Sequence, residues 1–334
     1  MEQIIYQWNW ERIDTFLTKN FDYSRNFFHH IIKRWWVLVN WKPVKKSYKL
    51  KTNDQIQVEN LERYLDSSFL EELPFVDIPI VLEKEDYLVI NKPKWVLSHP
   101  NSIWDLSAPS VVAFLYQKYK NLPSIWNFIR AGLVHRLDKE TDGLMIIAKT
   151  EKWLKHFKEL FNKKSQLVEE IIPEISKPNP NFSKLEEIEE KVWLKKFYKA
   201  TVNITPKSKK FLESIKLPHY IVQIVKPKVP YSVEKMGITK IISVESWKLK
   251  AKSSQPLAGI AKGDNSLQTS WNSSDLFLQI ITWRTHQIRY HLSLHWLPIV
   301  WDKLYWNKEN IPMQLTAYKL EFVDVEGEKI SLVI

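Results

Sequence analysis

Tryptophan is abundant in this chain of 334 residues and glycine is scarce, with 16 and 6 copies respectively. Glycine normally makes up about 7% of a protein, because tight turns and close backbone contacts need a residue without a β-carbon. Here the two residue types together reach only about that share. The chain therefore either folds with very few glycine turns or carries tryptophan where such turns occur.

The dipeptide Asn40-Trp41 shows how this bears on the fold. It follows the apolar run Val37–Val39 and occupies the two central positions of a predicted β-hairpin turn. A two-residue turn of this kind needs positive φ at both positions, which Asn-Gly adopts readily and a tryptophan side chain hinders. Trp41 thus stands where the turn favours glycine.

The rest of the composition is that of a folded protein without disulfides. Hydrophobic residues make up 44% and charged residues 26%, which is enough apolar material for a core. No run reaches the ~18 apolar residues of a transmembrane helix, and no secretory signal is visible, so we expect a cytoplasmic protein without a membrane partner. The absence of cysteine excludes disulfide frameworks, thiolate zinc sites and cysteine nucleophiles.

The charge balance points to a polyanionic partner. The chain has 49 basic and 38 acidic side chains, for a net charge of +11. Such a charge favours nucleic acid first and an anionic membrane surface second. Charge alone does not decide the matter, because many basic proteins bind no polyanion specifically.

Sequence patterns divide the chain into an N-terminal basic domain over residues 1–60, a linker over 61–78 and a larger domain over 79–334. The first domain shows two short amphipathic helices followed by two short strands. In the larger domain, residues 163–193 are strongly charged and contain three prolines. This pattern predicts an exposed insertion outside the core.

Residues 134–144, with the sequence VHRLDKETDGL, hold the densest group of polar side chains and precede an apolar run. An isolated carboxylate such as Asp138 is more often part of a solvated turn than of an active site. A protein-kinase catalytic loop is excluded, because the order is His-Arg-Leu-Asp and the chain has neither a glycine-rich loop nor Asp-Phe-Gly.

Five segments, in order along the chain, resemble the motifs of the RluA family of RNA pseudouridine synthases. They are the HRLD segment, Asn91–Val96 with His99-Pro100, Lys196–Ala200, Trp283–Leu292 and Pro298–Trp306. Residues 12–58 resemble the S4 RNA-binding domain. The resemblance implies an α+β protein: an N-terminal S4-like domain followed by a catalytic domain built on a mixed, largely antiparallel sheet.

The departures from the family pattern involve mostly one residue type. The pattern has glycine at the following positions, which here carry tryptophan: Trp41, Trp95, Trp283, Trp296, Trp301 and Trp306, and one of Trp35 and Trp36. Independent evolution of tryptophan at each position is one explanation. The alternative, which we favour, is that the gene uses UGA for glycine and was translated with a table that reads UGA as tryptophan. Asp142 replaces a family serine and is a separate departure.

The resemblance implies conversion of uridine to pseudouridine in structured RNA by a monomer, without cofactor or metal. Large-subunit ribosomal RNA is the expected substrate; transfer RNA and a non-catalytic RNA-binding role are the alternatives. Asp138 would be the catalytic carboxylate, either as nucleophile at C1′ or as base toward the ribose. Tyr198 would stack on the uracil and is a candidate acceptor of the C5 proton. Arg289 would pair with Asp138, or alternatively contact a phosphate.

Further basic residues are expected to contact RNA. Arg136 is suited to fill the space left by a flipped-out uridine. His135 is expected to contact RNA as well, and Arg284 either contacts phosphate or shapes its loop, as do His286 and His291. A phosphate-binding face of the N-terminal domain would consist of Arg12, Arg25, Lys33, Arg34, Lys42, Lys45 and Lys46.

Overall fold

The computed structural model describes residues 2–7, 10–21, 25–33, 35–59, 74–100, 108–119, 122–123, 131–229, 233–247, 273–306 and 312–334. Arg34, the predicted domain boundary at residue 60 and the linker residues 61–73 lie outside this part of the chain. The chain divides into two compact units. The first contains Met1–Leu137 and Met145–Lys155, and the second contains Asp138–Leu144 and His156–Ile334.

The first unit begins with a small antiparallel sheet and two helices. Strands β1 (Glu2–Ile5), β2 (Val37–Val39), β3 (Lys42–Pro43) and β4 (Gln55–Val58) lie in the order β1-β4-β2-β3, and the helices are α1 (Ile13–Asn20) and α2 (Arg25–Lys33). One buried cluster joins them, and it includes Ile13, Phe16, Leu17, Phe28, Ile31, Val37 and Ile56. Burying each such side chain contributes about 1.5–3 kcal/mol, and this packing stabilises helices too short to form alone. The predicted helices and strands are confirmed.

The turn between β2 and β3 consists of Asn40 and Trp41, whose φ angles are 50° and 59°. Leu38 pairs with Pro43 and Val39 with Lys42 on either side of it. The predicted two-residue turn with positive φ at both positions is therefore confirmed, and Trp41 adopts a left-handed backbone conformation.

The first unit also contains a hairpin and a third helix. The hairpin strands are β5 (Ile80–Glu83) and β6 (Tyr87–Lys92), and α3 spans Val111–Lys118. Ser110 caps α3, because its side chain accepts a hydrogen bond from the backbone N–H of Ala113. Beside β6 lies β7 (Asp142–Ala148), which contributes residues to both units and is buried from its second residue onward.

The second unit is built on a larger sheet. Its further strands are β8 (Leu194–Asn203), β9 (His219–Val225), β10 (Lys235–Trp247), β11 (Ser273–Ile280), β12 (Leu315–Val323) and β13 (Lys329–Val333). Starting from β7, the order is β7-β12-β8-β11-β10-β9, with β13 added to β12. Only the β7–β12 pairing is parallel among the described pairs. Helices α4 (Glu151–Ile175), α5 (Ser183–Lys191), α6 (Pro206–Ser214) and α7 (Gln287–Leu294) accompany the sheet. The predicted α+β class is confirmed.

The segment 163–193 is not the exposed insertion that the sequence predicts. It forms the second half of α4 and all of α5, and its apolar side chains belong to the core. The buried cluster there consists of Val168, Ile171, Ile175, Leu185, Ile188, Ile238 and Ile281. A buried Lys164 lies 3.5 Å from the carboxylate of Glu189 on the neighbouring helix. The prediction is wrong because charged residues occupy the exposed faces of both helices and hide the apolar spacing.

None of the helices in the described part of the chain is long and apolar enough to cross a membrane.

Candidate active site

Asp138 lies in the turn that leads into β7. The backbone N–H of Thr141 donates to the carbonyl oxygen of Asp138 at 3.1 Å and closes this turn. Just after it, Gly143 has a φ of +119°, and a β-carbon there would lie 2.3 Å from the carbonyl oxygen of Ala317. Glycine therefore permits the close pairing of β7 with β12. The Asp138 side chain is 21% exposed, so a ligand can reach its carboxylate.

Asp142, which replaces the family serine, strengthens the same pairing. Its Oδ1 accepts a hydrogen bond of 2.8 Å from the hydroxyl of Thr316 on β12. The substitution thus contributes to the position of the turn and leaves the Asp138 carboxylate to other partners.

Lys196 and Tyr198 lie two residues apart on β8, and both side chains are buried. The ammonium nitrogen of Lys196 is 5.7 Å from the centre of the Tyr198 ring. Burial, together with the charge of Asp138, raises the pKa of Tyr198 well above its usual range. The phenol therefore stays protonated at neutral pH, which favours stacking on a base over accepting a proton.

Burial lowers the pKa of Lys196 to about 7, although the charge of Asp138 opposes this effect. Lys196 can therefore be a neutral amine near neutral pH. Lys196 belongs to the segment Lys196–Ala200, but the sequence pattern predicts no role for it. The available signal was its spacing of two residues from Tyr198, because residues at this spacing on a strand share one face.

Arg289 on α7 is buried, and its bidentate partner is Asp302. Its Nε donates to Asp302 Oδ2 at 2.8 Å and its Nη2 donates to Oδ1 at 2.7 Å. The predicted pairing with Asp138 is therefore wrong in its geometry: Asp138 acts on Arg289 only through its charge. Burial disfavours the guanidinium cation, but the hydrogen bonds and charge of Asp302 raise the pKa of Arg289. Asp138 and Glu140 add to this increase.

His286 precedes α7 and lies beside Asp138. Its Nε2 is 3.8 Å from Asp138 Oδ2, and its Nδ1 is 3.4 Å from the hydroxyl of Tyr305. Burial is the main cause that lowers the pKa of His286, and the charge of Arg289 adds to it while the nearby carboxylates oppose it. The side chain therefore faces Asp138 mainly as a neutral imidazole at neutral pH.

Arg284 and Gln287 hold the loop before α7 in place. Arg284 donates from Nε to the carbonyl oxygen of Met236 at 2.8 Å and from Nη2 to Glu169 at 3.0 Å. Gln287 accepts from the backbone N–H of Arg284 and donates to Ile238 on β10. These contacts favour the loop-shaping alternative for Arg284. His291 is likewise internal: it is buried, and its Nδ1 lies 2.9 Å from the Thr239 hydroxyl.

The residues just before Asp138 are anchored within the first unit. The Ser98 hydroxyl donates to the carbonyl oxygen of Leu137 at 2.7 Å and accepts from its N–H at 3.0 Å. His135 Nε2 accepts a hydrogen bond of 3.1 Å from the backbone N–H of Ile146. This contact gives His135 a structural part besides the expected contact with RNA. Arg136, in contrast, is exposed.

In the N-terminal domain a buried carboxylate, Asp14, binds three cationic or potentially cationic groups. Arg12 and Arg25 each donate two hydrogen bonds to it, and His29 Nε2 lies 2.7 Å from Oδ2. Burial opposes the ionised form, but these three partners hold the pKa of Asp14 well below its usual range. The Arg12 and Arg25 side chains remain 41% and 50% exposed, so they can still reach an anion.

The other predicted phosphate-binding residues that are described are exposed lysines, namely Lys33, Lys42, Lys45 and Lys46. Within the described ranges, no group of three or more His, Asp or Glu side chains is arranged to hold a metal ion.

Two family models match the chain. One, described as RNA pseudouridylate synthase, matches residues 86–170, and the S4 domain model matches residues 11–56. An RNA pseudouridine synthase of Helicobacter pylori (strain J99) is 28% identical over 331 residues, which cover 96% of this chain and 85% of that protein.

Two relatives match over shorter segments with higher sequence identity. A pseudouridine synthase of Aquifex aeolicus is 38% identical over 141 residues, covering 42% of this chain and 43% of that protein. The "Ribosomal large subunit pseudouridine synthase D" of Escherichia coli O6:H1 is 38% identical over 142 residues, covering 42% and 41%. These two matches span less than half the length of either relative.

Among solved structures, the human protein "RNA Pseudouridylate Synthase Domain Containing 1" aligns with a TM-score of 0.45 and 17% identity, over 78% of this chain and 85% of that one. The two family models match the chain in the same order as the sequence motifs, with the S4 domain first and the synthase domain second. An S4 domain model followed by an RNA pseudouridylate synthase model, together with a relative matched over 96% of the chain, makes this chain similar along its length to RNA pseudouridine synthases.

Proposed function

We propose that the protein converts uridine to pseudouridine in large-subunit ribosomal RNA, with Asp138 as the catalytic carboxylate. The observation that carries the proposal is the position of Asp138: partly exposed, within 4 Å of His286, and within the electrostatic range of Lys196 and Tyr198. The Escherichia coli relative is named a ribosomal large subunit pseudouridine synthase, which supports the choice of ribosomal RNA. Transfer RNA is the alternative substrate.

The reaction rearranges bonds without adding or removing atoms. The bond between N1 of uracil and C1′ breaks, and a bond between C5 and C1′ forms. The hydrogen at C5 leaves as a proton and N1 gains one, so the sum of atoms and electrons is unchanged. Asp138 would act either by adding to C1′ or by removing a ribose proton, and both routes need its ionised carboxylate.

The other residues would bind and orient the uridine. Tyr198, kept as a neutral phenol, would stack on the uracil. Arg289 would supply positive charge to the carboxylate end of the site, and His286 would contact the ionised Asp138. A uridine must leave its stack to reach them, at a cost of a few kcal/mol, and the exposed Arg136 would fill the vacancy. The N-terminal lysines with Arg12 and Arg25 would hold the RNA by its phosphates.

A non-catalytic RNA-binding role is the weaker alternative. A chain that had lost the reaction would not need Asp138, Tyr198 and Arg289 together. The test is to map pseudouridine in the host's RNA with and without this gene. Loss of pseudouridine at one or more ribosomal RNA positions supports the proposal. Loss at transfer-RNA positions would identify transfer RNA as the substrate, and an unchanged map would contradict the activity.

We also infer that most of the tryptophans are glycine in the organism's own protein. Among the described residues, these have left-handed φ angles between 55° and 71°: Trp10, Trp35, Trp41, Trp95, Trp296 and Trp301. The left-handed conformation costs an L-residue roughly 1–2 kcal/mol, and Asn tolerates it far better than Trp.

Trp283 supports the same inference by a different route. Its backbone does not have positive φ, but its indole N–H is buried without a hydrogen-bond partner. The ring also lies 5.6 Å and 5.9 Å from the ammonium groups of Lys164 and Lys196. Glycine would leave this space beside the candidate site open. Mass spectrometry of the native protein decides between the two residues at each position.

A further inference from the structure

Asp302 is a fully buried carboxylate that serves four donors at once. Its two oxygens accept the Nε and Nη2 hydrogens of Arg289, at 2.8 Å and 2.7 Å. Oδ1 also accepts from the backbone N–H groups of Leu304 and Tyr305, at 3.0 Å and 3.2 Å. One side chain therefore ties a residue of α7 to the loop that follows Asp302.

The pair of hydrogen bonds between Asp302 and Arg289, here called the clamp, fixes the orientation of the planar guanidinium group. Two parallel charge-assisted hydrogen bonds along one edge of the guanidinium leave it a single orientation, and the third nitrogen, Nη1, points away from Asp302. The Tyr305 ring lies 5.4 Å from the guanidinium carbon and covers it on one side. The backbone of Tyr305 is itself bound to Asp302, so the cover and the clamp depend on the same carboxylate.

The third nitrogen is in an unusual state. Arg289 is only 3% exposed, yet its Nη1 is buried without a hydrogen-bond partner. The Glu140 carboxylate lies 3.9 Å from it, too far for a hydrogen bond. A buried donor without a hydrogen-bond partner is unfavourable, so the fold maintains it against a penalty. Such a group is suited to an acceptor that is present only when the site is occupied or rearranged.

We propose that Asp302 is a positioning residue, which uses two nitrogens of Arg289 to reserve the third for the reacting end of the site, where Asp138 and Glu140 lie. The inference rests on the proposed function, because it assigns a role within that same site. Asp302 does not touch the uridine; it acts through Arg289. A loop-holding role without effect on the chemistry is the competing interpretation.

The Asp302→Asn variant separates the two interpretations. Asparagine keeps an oxygen for the N–H groups of Leu304 and Tyr305, but its amide nitrogen meets a donor of Arg289 and its charge is lost. We expect single-turnover pseudouridine formation to fall about 10- to 100-fold, as for a small misplacement of a catalytic group, with RNA affinity within a factor of about two. The pH–rate profile should change as well, because the variant removes a buried negative charge from the site.

Asp324→Asn is the matched control. Asp324 is also a buried carboxylate that accepts two backbone N–H groups, those of Glu326 and Glu328, but it binds no arginine in the described contacts. The control should retain the wild-type rate and profile. Asp302→Glu keeps the charge and should retain more activity than Asp302→Asn. If the asparagine variant does not fold, the glutamate variant is compared with the wild-type protein instead.

A double-mutant cycle with Arg289→Met completes the test. If Asp302 acts through Arg289, Asp302→Asn should change the rate of the Arg289→Met protein by less than about threefold, because the two effects are not additive. Independent, multiplying effects, or a wild-type rate and pH profile in a folded Asp302→Asn protein, would overturn the inference and leave the proposed function intact. A wild-type protein that forms no pseudouridine would overturn both.

Discussion

The ammonium group of Lys196 lies against the ring of Tyr198 on the buried face of one strand, at 5.7 Å from the ring centre. Buried lysines are rare because removing the cation from water is costly. Because of this cost, the free energy of unfolding depends on pH through the protonation of Lys196.

Lys196→Met should stabilise the protein, and more so at low pH. The pKa of Lys196 is about 7 in the fold and 10.5 when unfolded, so the unfolded chain binds more protons between these values. Stability therefore rises with pH across this range, and the lysine is most destabilising below pH 7. We expect the gain from methionine, a few kcal/mol at most at pH 6, to shrink by pH 9. Urea denaturation at both pH values measures it, and an equal gain at both would contradict the assignment.

Asp138→Asn should abolish the reaction and leave the fold intact. Asparagine keeps the size of the side chain but can act neither as nucleophile nor as base, so we expect a loss of at least about 100-fold. Tritium release from RNA labelled at C5 of uridine measures the rate. Asp142→Asn is the control, because an amide oxygen can still accept the Thr316 hydroxyl. Full activity in the Asp138 variant would refute its role.

The exposed lysines of the N-terminal domain should set the salt dependence of RNA binding. Replacing Lys33, Lys42 and Lys45 together with glutamine should reduce the slope of log affinity against log salt by about two units, since each phosphate contact contributes about 0.7–0.9. The matched triple arginine variant keeps the charge and should keep the slope. An unchanged slope in the glutamine variant would show that these residues do not contact RNA.

Glycine at the exposed left-handed tryptophans should stabilise the protein. Trp35 and Trp41 are 68% and 63% exposed and have positive φ, so glycine relieves strain of roughly 1–2 kcal/mol per position with little loss of packing. Trp153 is the control: it is buried and stacked on Tyr87, and its replacement by glycine should destabilise by about 3–5 kcal/mol. Thermal unfolding distinguishes the two classes. Destabilisation at Trp35 and Trp41 would contradict the inferred recoding.

Local features of the fold could be predicted because few neighbouring residues determine them. The turn at Asn40-Trp41, the cap at Ser110 and the apolar strand after Asp138 each depend on a short segment. The helices of residues 163–193 were missed although Val168, Ile171 and Ile175 repeat at helical spacing. The many charged residues and the three prolines of this segment hid the helical repeat of its apolar residues.

The partner of Arg289 could not be predicted in the same way. Asp138, Glu140 and Asp302 are all carboxylates near it, and the sequence shows their charge but not their direction. The choice of Asp302 depends on the path of the chain from α7 back to its loop, and therefore on tertiary packing. The lowered pKa of Lys196 could not be predicted for the same reason. Burial decides whether a lysine is an ordinary cation or a near-neutral amine, and burial depends on tertiary packing.

The exposed indoles also affect how the molecules interact with one another. Trp10, Trp35 and Trp41 are each more than 60% exposed; the S4 domain model covers Trp35 and Trp41, and Trp10 lies one residue before it. Large exposed apolar groups of this kind promote self-association. Chains translated with tryptophan should therefore show light scattering that rises steeply with concentration, whereas the glycine form should stay dispersed. Under the inferred recoding, the decoding of a few codons would change the colloidal behaviour of the N-terminal domain as well as its backbone geometry.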